Sequence, residues 1–168
     1  ASNIGAAARA VANMGGNQLI LIDPQTGINS KAHQNAAGAQ DALRSAITYS
    51  SWDEFFSKEG NGIRIAMTRR GGKKRKVYPL EEALDEFALE VSQHSAQEQP
   101  NSIYLFFGPE ADGLSLEDVS FMNYCCHLPI FGEFGSLNLA QAVLLALFIT
   151  RKRFPPSEKV KQITGEEA

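Results

Sequence analysis

Three separated segments hold the polar side chains and glycines with which this sequence could do chemistry. The first, Asn3-Ile4-Gly5-Ala6-Ala7-Ala8-Arg9, reads as a capped helix. Asn3 can serve as the cap, the small residues let another backbone approach closely, and Arg9 projects outward. The second, Phe107-Gly108-Pro109-Glu110-Ala111-Asp112-Gly113-Leu114, directly follows an apolar run, which is where open α/β sheets place their ligand-binding loops. Its glycines expose backbone, and Glu110 sets a carboxylate at the end of a strand. The third, from Leu128 through Gly132, Gly135 and Ser136 to Asn138 and Ala142, couples a glycine-rich loop to the start of an apolar helix. Ser136 suits the N-cap of that helix, and Asn138 is a first-turn polar group that packing alone does not require. Taken singly, each segment also has an adequate explanation in caps, turns or helix packing.

The elements that must position these segments alternate in type. Short apolar runs at 18–23, 62–68, 102–108 and 124–128 read as strands, with β-branched and aromatic residues bounded by glycine, proline or aspartate. Between them lie helical patterns at 4–14, closed by Gly15-Gly16, at 30–46, at 79–97 and at 136–152. In 79–97 Leu80, Ala83, Leu84, Phe87, Ala88 and Val91 share one face, and Pro79 is expected to open the helix. The last helix is apolar nearly all round, so the sheet or another subunit must bury it. Alternation of this kind predicts an α/β fold, a mainly parallel sheet with flanking helices.

At 168 residues, 43% of them apolar, the chain is sized for one globular core. No apolar run approaches the roughly 18 residues of a membrane span, and the opening lacks the pattern of a signal peptide. The only cysteines, Cys125 and Cys126, are neighbours, and adjacent cysteines seldom pair. These features together favour a reducing cytoplasm. His33, His94 and His127 lack metal-ligand spacing, so no metal is expected. The net charge is −3, yet Arg69, Arg70, Lys73, Lys74, Arg75 and Lys76 place six positive charges within eight residues. Without them ten basic residues face nineteen acidic ones, so the chain is an acidic body with one basic loop.

In this order the three segments resemble the motifs of SpoU-type RNA ribose 2′-O-methyltransferases of the SPOUT superfamily. Asn3, Gly5 and Arg9 match the first motif. Phe107-Gly108-Pro109-Glu110 with Gly113-Leu114 matches the second, and Ser136-Leu137-Asn138-Leu139 the third. The resemblance extends over residues 3–154, and the form Asn-Ile-Gly-Ala-Ala-Ala-Arg-Ala looks most like the TrmJ-type branch, which acts on tRNA.

The resemblance implies one methyltransferase domain over 1–154 and a carboxyl-terminal part tied into a deep trefoil knot, while the proline-tipped, charged composition of 155–168 reads as a mobile tail. It also implies a homodimer and S-adenosyl-L-methionine as cofactor. The cofactor positions carry over to Thr68, Arg69, Gly108, Leu128, Ile130, Gly135, Ser136 and Leu137. The central catalytic role carries over to Arg9, with Asn3, Glu110, Ser136 and Asn138 shaping the site. RNA would meet Arg9, Asn13 and the basic residues Arg70, Lys73, Lys74, Arg75 and Lys76.

A pyrimidine ribose in the tRNA anticodon loop is the expected target. Ribosomal RNA methylation and a noncatalytic RNA-binding module on the same fold are the alternatives. A nucleotide-dependent oxidoreductase is disfavoured, because the G-x-G-x-x-G turn is absent. Family members carry a strand just before the first motif, whereas this sequence starts almost inside it; either the sequence is trimmed there or, if the strand is missing from the protein, the neighbouring sheet edge lacks its partner.

Overall fold

The computed structural model describes residues 2–16, 18–22, 40–59, 62–68, 75–93, 102–109, 113–131 and 137–155, without the side chains of residues 2, 3 and 40. Helices are α1 (Ser2–Asn13), α2 (Gln40–Arg44), α3 (Trp52–Lys58), α4 (Leu80–Gln93), α5 (Leu116–Ser120) and α6 (Leu139–Arg153). Strands are β1 (Ile20–Ile22), β2 (Ile47–Tyr49), β3 (Gly62–Met67), β4 (Val77–Pro79), β5 (Ser102–Phe106) and β6 (Tyr124–His127). All four expected strands are present, their ends shifted by a residue or two.

Every described strand pair is parallel. The strands divide into a four-stranded sheet of order β4-β6-β3-β5 and a separate pair β1-β2. Among the described residues, β5 is therefore an edge strand on the side away from β3.

β3 is the centre of the larger sheet, and its pleat decides what each residue meets. Ile63 and Ile65 join Leu80, Ala83, Leu84 and Phe87 of α4 and Ala146 and Ile149 of α6 in the principal core. Ala66 turns to the opposite face, where Val119, Met122 and Cys125 lie. Cys126 belongs to the first face and Cys125 to the second, so the pleat points the neighbouring thiols apart and both are free. Burial pushes the Cys126 thiol up to about 12, with the adjacent Cys125 adding to the shift.

Two expectations about helix starts are corrected. Pro79 does not open α4 but ends β4, paired with His127. Among the described residues β4 is an edge strand, which is where sheets accommodate proline. Asn3 lies inside the first turn of α1 rather than at its cap, since that helix already begins at Ser2. Of the helix expected over 30–46, 40–44 is helical and 30–39 lies outside the described residues.

Helix α3 ties the two sheets together. Its Ser51 cap accepts from the Glu54 N–H, and Phe55 packs edge-on against Tyr49 of β2 at 5.9 Å and Tyr104 of β5 at 5.3 Å. Just past the helix, the Glu59 carboxylate accepts from both phenols, from Tyr104 at 3.0 Å. The Tyr49 phenol is pushed up to about 12 by that hydrogen bond and by burial, and burial followed by Glu59 raises Tyr104.

A phenol raised above its ordinary value of 10.0 stabilises the fold fully below that pH, and the contribution is lost as pH rises through the folded value. Alkaline titration by phenolate absorbance should therefore lag in the folded chain relative to the denatured one. Tyr49→Phe should lose less stability than the parent between pH 10 and 12. Coincident folded and denatured titrations would exclude the Glu59 bridge.

Candidate cofactor cradle and RNA-facing helix

Because β3, β5 and β6 are parallel and in register, their carboxyl ends reach one edge of the sheet. Ala66 pairs with both Phe106 and Cys125, so Thr68, Gly108 and His127 are level two residues beyond, with Leu128 one residue further on. The Thr68 N–H donates to the Cys126 carbonyl at 2.9 Å and carries the β3–β6 ladder one step further.

Gly108 is required by close approach. A Cβ there would lie 2.3 Å from the Gly113 carbonyl carbon and 2.4 Å from the Leu114 nitrogen. The turn that crowds it is closed by the Gly113 N–H donating to the Pro109 carbonyl at 2.7 Å, with Gly113 at φ +67. The backbone of this turn is thus folded back onto the strand end, as a glycine-lined cradle needs.

Beyond the turn, Ser115 and Asp118 form a reciprocal capping box on α5, and the Trp52 indole N–H donates to Asp118 at 2.9 Å. Burial alone would raise the Asp118 carboxyl, but the Ser115 backbone N–H, the Trp52 indole and the Ser115 hydroxyl together hold it below its ordinary value.

On the third segment, Leu128 packs against the principal core, Leu137 is half-buried and Ile130 is exposed. Asn138 is the N-cap of α6. Its side chain accepts from the Gln141 N–H at 2.9 Å, and the Gln141 side chain accepts from the Asn138 N–H at 3.2 Å. This corrects the expectation that Ser136 caps the helix and that Asn138 sits within its first turn. Asparagine caps as well as serine, and glutamine three residues on completes the box.

Arg9 and Asn13 lie one turn apart on the exposed side of α1. The rest of that helix is held by alanines: Ala8 packs with Leu43 of α2, and Ala7 and Ala10 with Val143 of α6. Phe107, Leu139 and Leu19 pack on the same Ala7–Ala10–Val143 cluster. One apolar contact therefore joins the arginine-bearing helix, the residue before Gly108 and the first turn of α6, which brings all three sequence segments together.

Arg69, Arg70, Lys73, Lys74, Glu110, Gly135 and Ser136 lie outside the described residues. Of the basic loop, Arg75 is half-buried and donates to the Met122 carbonyl at 2.5 Å, and the Lys76 ammonium sits 4.9 Å from the centre of the Tyr78 ring. Among the described residues no cluster of metal-ligating side chains occurs, and no helix is long and apolar enough to cross a membrane.

The site chemistry fits an adenosine-type group. Backbone polar atoms are gathered at the sheet edge, a glycine cradle is present that a Cβ would fill, and Leu128, Ile130 and Leu137 supply apolar walls. Fold and site thus define an α/β domain with a glycine-lined cradle at the carboxyl edge of a parallel sheet, against which the helix that carries Arg9 is packed.

The chain belongs to the SpoU rRNA Methylase family, whose sequence model matches residues 1–148. It is 35% identical over 151 residues to the tRNA (cytidine/uridine/adenosine-2′-O-)-methyltransferase TrmJ of Pseudomonas aeruginosa, covering 89% of this chain and 55% of that protein. It is 30% identical over 167 residues to TrmJ of Photorhabdus laumondii, covering 98% and 65%. The crystal structure of TrmJ from Z. mobilis superposes with a TM-score of 0.74 at 31% identity, over 92% of this chain and 66% of that one. The chain therefore spans somewhat more than half the length of the curated relatives it matches. The SPOUT α/β fold implied by the sequence is borne out. Part of the carboxyl-terminal region expected to form the knot, 132–136, lies outside the described residues, as does 156–168 of the expected tail.

Proposed function

We propose that this chain transfers a methyl group from S-adenosyl-L-methionine to a ribose 2′-hydroxyl of tRNA, with an anticodon-loop pyrimidine nucleotide as target. The observation that carries the reading is the Ala7–Ala10–Val143 cluster, which sets Arg9's helix directly beside the Gly108 strand end and the start of α6. The similarity to the TrmJ tRNA methyltransferases supports tRNA as the substrate class. Thr68, Gly108, Leu128, Ile130 and Leu137, with Arg69, Gly135 and Ser136, would hold the cofactor, which supplies an electrophilic methyl group. Substrate and reaction place the protein in the cytoplasm.

The ribose hydroxyl attacks poorly until its proton begins to leave, so the site needs positioning and a proton acceptor. Arg9 is not that acceptor, because a guanidinium presents five N–H donors and no acceptor atom. It instead grips an RNA phosphate beside the target ribose, and that phosphate or a water receives the proton. Asn13 lies on the same face as a further RNA contact. Glu110, Ser136 and Asn3 shape the pocket, and Asn138 does so through its cap.

The partner is a second copy of the chain. Met14, Leu137, Leu144, Leu145 and Phe148 line an open apolar groove, with Leu144 39% and Phe148 48% exposed. Such a face on the helix that begins the cradle suits a homodimer. Phe148→Asp should shift the mass measured by light scattering from dimer to monomer. A wild-type chain already monomeric at micromolar concentration would refute the dimer.

The function is tested by incubating the chain with labelled S-adenosyl-L-methionine and separate pools of unmodified tRNA and rRNA, followed by nucleoside mass spectrometry. A 2′-O-methylated pyrimidine nucleoside from tRNA is expected. Transfer to rRNA alone, the second reading that membership of the SpoU rRNA Methylase family favours, overturns the tRNA assignment. Base methylation, or no transfer to either pool, overturns the activity.

A further inference from the structure

The carboxyl end of α1 is closed twice over. Gly15 adopts φ +63, its N–H donates to the Ala12 carbonyl at 3.3 Å, and the Gly16 N–H donates to the Val11 carbonyl at 2.8 Å. This is the Schellman arrangement, which satisfies the Ala12 and Val11 carbonyls. The Met14 and Gly15 carbonyls that remain are taken by one side chain from the far end of the sequence. Arg151 donates through Nε to Met14 O at 2.9 Å and through Nη2 to Gly15 O, while its Nη1 reaches Phe154 O at 3.5 Å. The guanidinium is half-buried, and its charge sits at the negative end of the α1 dipole.

Helix α6 therefore acts on α1 at three levels. At its start Asn138 and Leu139 border the cradle, one turn further Val143 seats Ala7 and Ala10, and at its end Arg151 holds Met14 and Gly15. The span from Asn138 to Arg151 is about 20 Å of helix at about 1.5 Å per residue. The alanine contacts are shallow and would let α1 slide or roll. The planar fork bound to two carbonyls fixes both its axial position and its rotation, and a lysine, with one point of charge, could not.

We propose that Arg151 is a positioning residue for methyl transfer: it sets the rotation and register of α1 so that Arg9 and Asn13 face the nucleotide bound at the cradle. This rests on the assignment of Arg9 to the RNA side of the site. It touches neither cofactor nor RNA and acts only through α1.

Two variants test it, Arg151→Met, which keeps the stem, and Arg151→Lys, which also keeps the charge. A displaced Arg9 should lower kcat by about 10- to 100-fold in Arg151→Met, since about 1 Å of misplacement has that order of effect. The affinity for S-adenosyl-L-methionine, bound at the other end of α6, should stay within about twofold, below the 1.4 kcal/mol that a tenfold change represents. Arg151→Lys should recover only part of the rate.

Assays run well below the melting temperature separate positioning from stability. Parent-like kcat in both variants, with only a lowered melting temperature, overturns the proposal. Should Arg151→Met fail to fold, Arg151→Lys carries the test, and full parental kcat there overturns the fork argument. If the wild-type chain methylates no RNA, the functional reading fails instead. The clamp is then read from amide hydrogen exchange, where unchanged protection of residues 9–16 in Arg151→Lys overturns it.

Discussion

Arg9→Ala should abolish most methyl transfer, by about 100-fold or more, while leaving the melting temperature and cofactor affinity close to the parent's. The two halves of that expectation have separate causes. Arg9 is exposed on α1, whereas the helix is held by Ala7, Ala8, Ala10 and Val11 on its buried sides. Surface substitutions away from such contacts change stability by within about 0.5 kcal/mol. Activity responds otherwise, because orienting a poor nucleophile for in-line attack can be worth about 7 kcal/mol or more, and the arginine is assigned the phosphate that fixes that orientation. Arg9→Lys separates charge from geometry. It keeps the positive charge but loses the fork that binds a phosphate through two parallel N–H groups, so turnover should remain well below the parent's. Full turnover in Arg9→Lys would dispose of the phosphate clamp, and full turnover in Arg9→Ala would remove Arg9 from the mechanism altogether.

That Arg9 could be singled out at all reflects which interactions are local in sequence. Strand β3 was legible because Ile63, Ile65 and Ala66 form an apolar run bounded by glycine. Helix α4 was legible because Leu80, Ala83, Leu84 and Phe87 repeat at spacings of three and four. Strand β1 is only three residues long but lies in the apolar run Leu19-Ile20-Leu21-Ile22, whereas β2 and β4, equally short, have Thr48 or Tyr78 and Pro79 in place of such a run and leave no comparable pattern. Helices α3 and α5 did leave a signal, in Ser51 with Glu54 and Ser115 with Asp118, each a cap followed three residues later by an acid. The same spacing in Asn138 and Gln141 identifies the true start of α6, although Ser136 beside glycine drew the cap two residues too early. Nothing local could reveal that Arg151 binds the Met14 carbonyl, since 137 positions separate them. The juxtaposition of the three motif segments is equally non-local. Their order in the chain suggested it, but the contact of Ala7 and Ala10 with Val143, Phe107 and Leu139 is a product of the fold.

Gly108 offers the sharpest structural test of the cradle, because steric facts alone fix the outcome there. In Gly108→Ala the new Cβ would stand 2.3 Å from the Gly113 carbonyl carbon, 2.4 Å from the Leu114 nitrogen and 2.6 Å from the Gly113 oxygen. All three are backbone atoms, so no rotamer change relieves the clash. The turn must lift off the strand end, against the Gly113 N–H bond to Pro109 and the packing of Leu114 in the core behind it. Overpacking of this kind costs about 1–3 kcal/mol in stability. Affinity for S-adenosyl-L-methionine should fall further than stability does, by at least about tenfold or 1.4 kcal/mol, because the displaced backbone is the assigned binding surface. Gly113→Ala supplies the contrast. Its φ of +67 makes the substitution unfavourable by about 1–2 kcal/mol, but nothing lies within 4 Å of the added Cβ, so the turn can stay in place. Calorimetric titration of the two variants at a temperature where both are folded should therefore rank Gly108→Ala well below Gly113→Ala in cofactor affinity. Equal affinities would place the cofactor somewhere other than the ends of β3, β5 and β6.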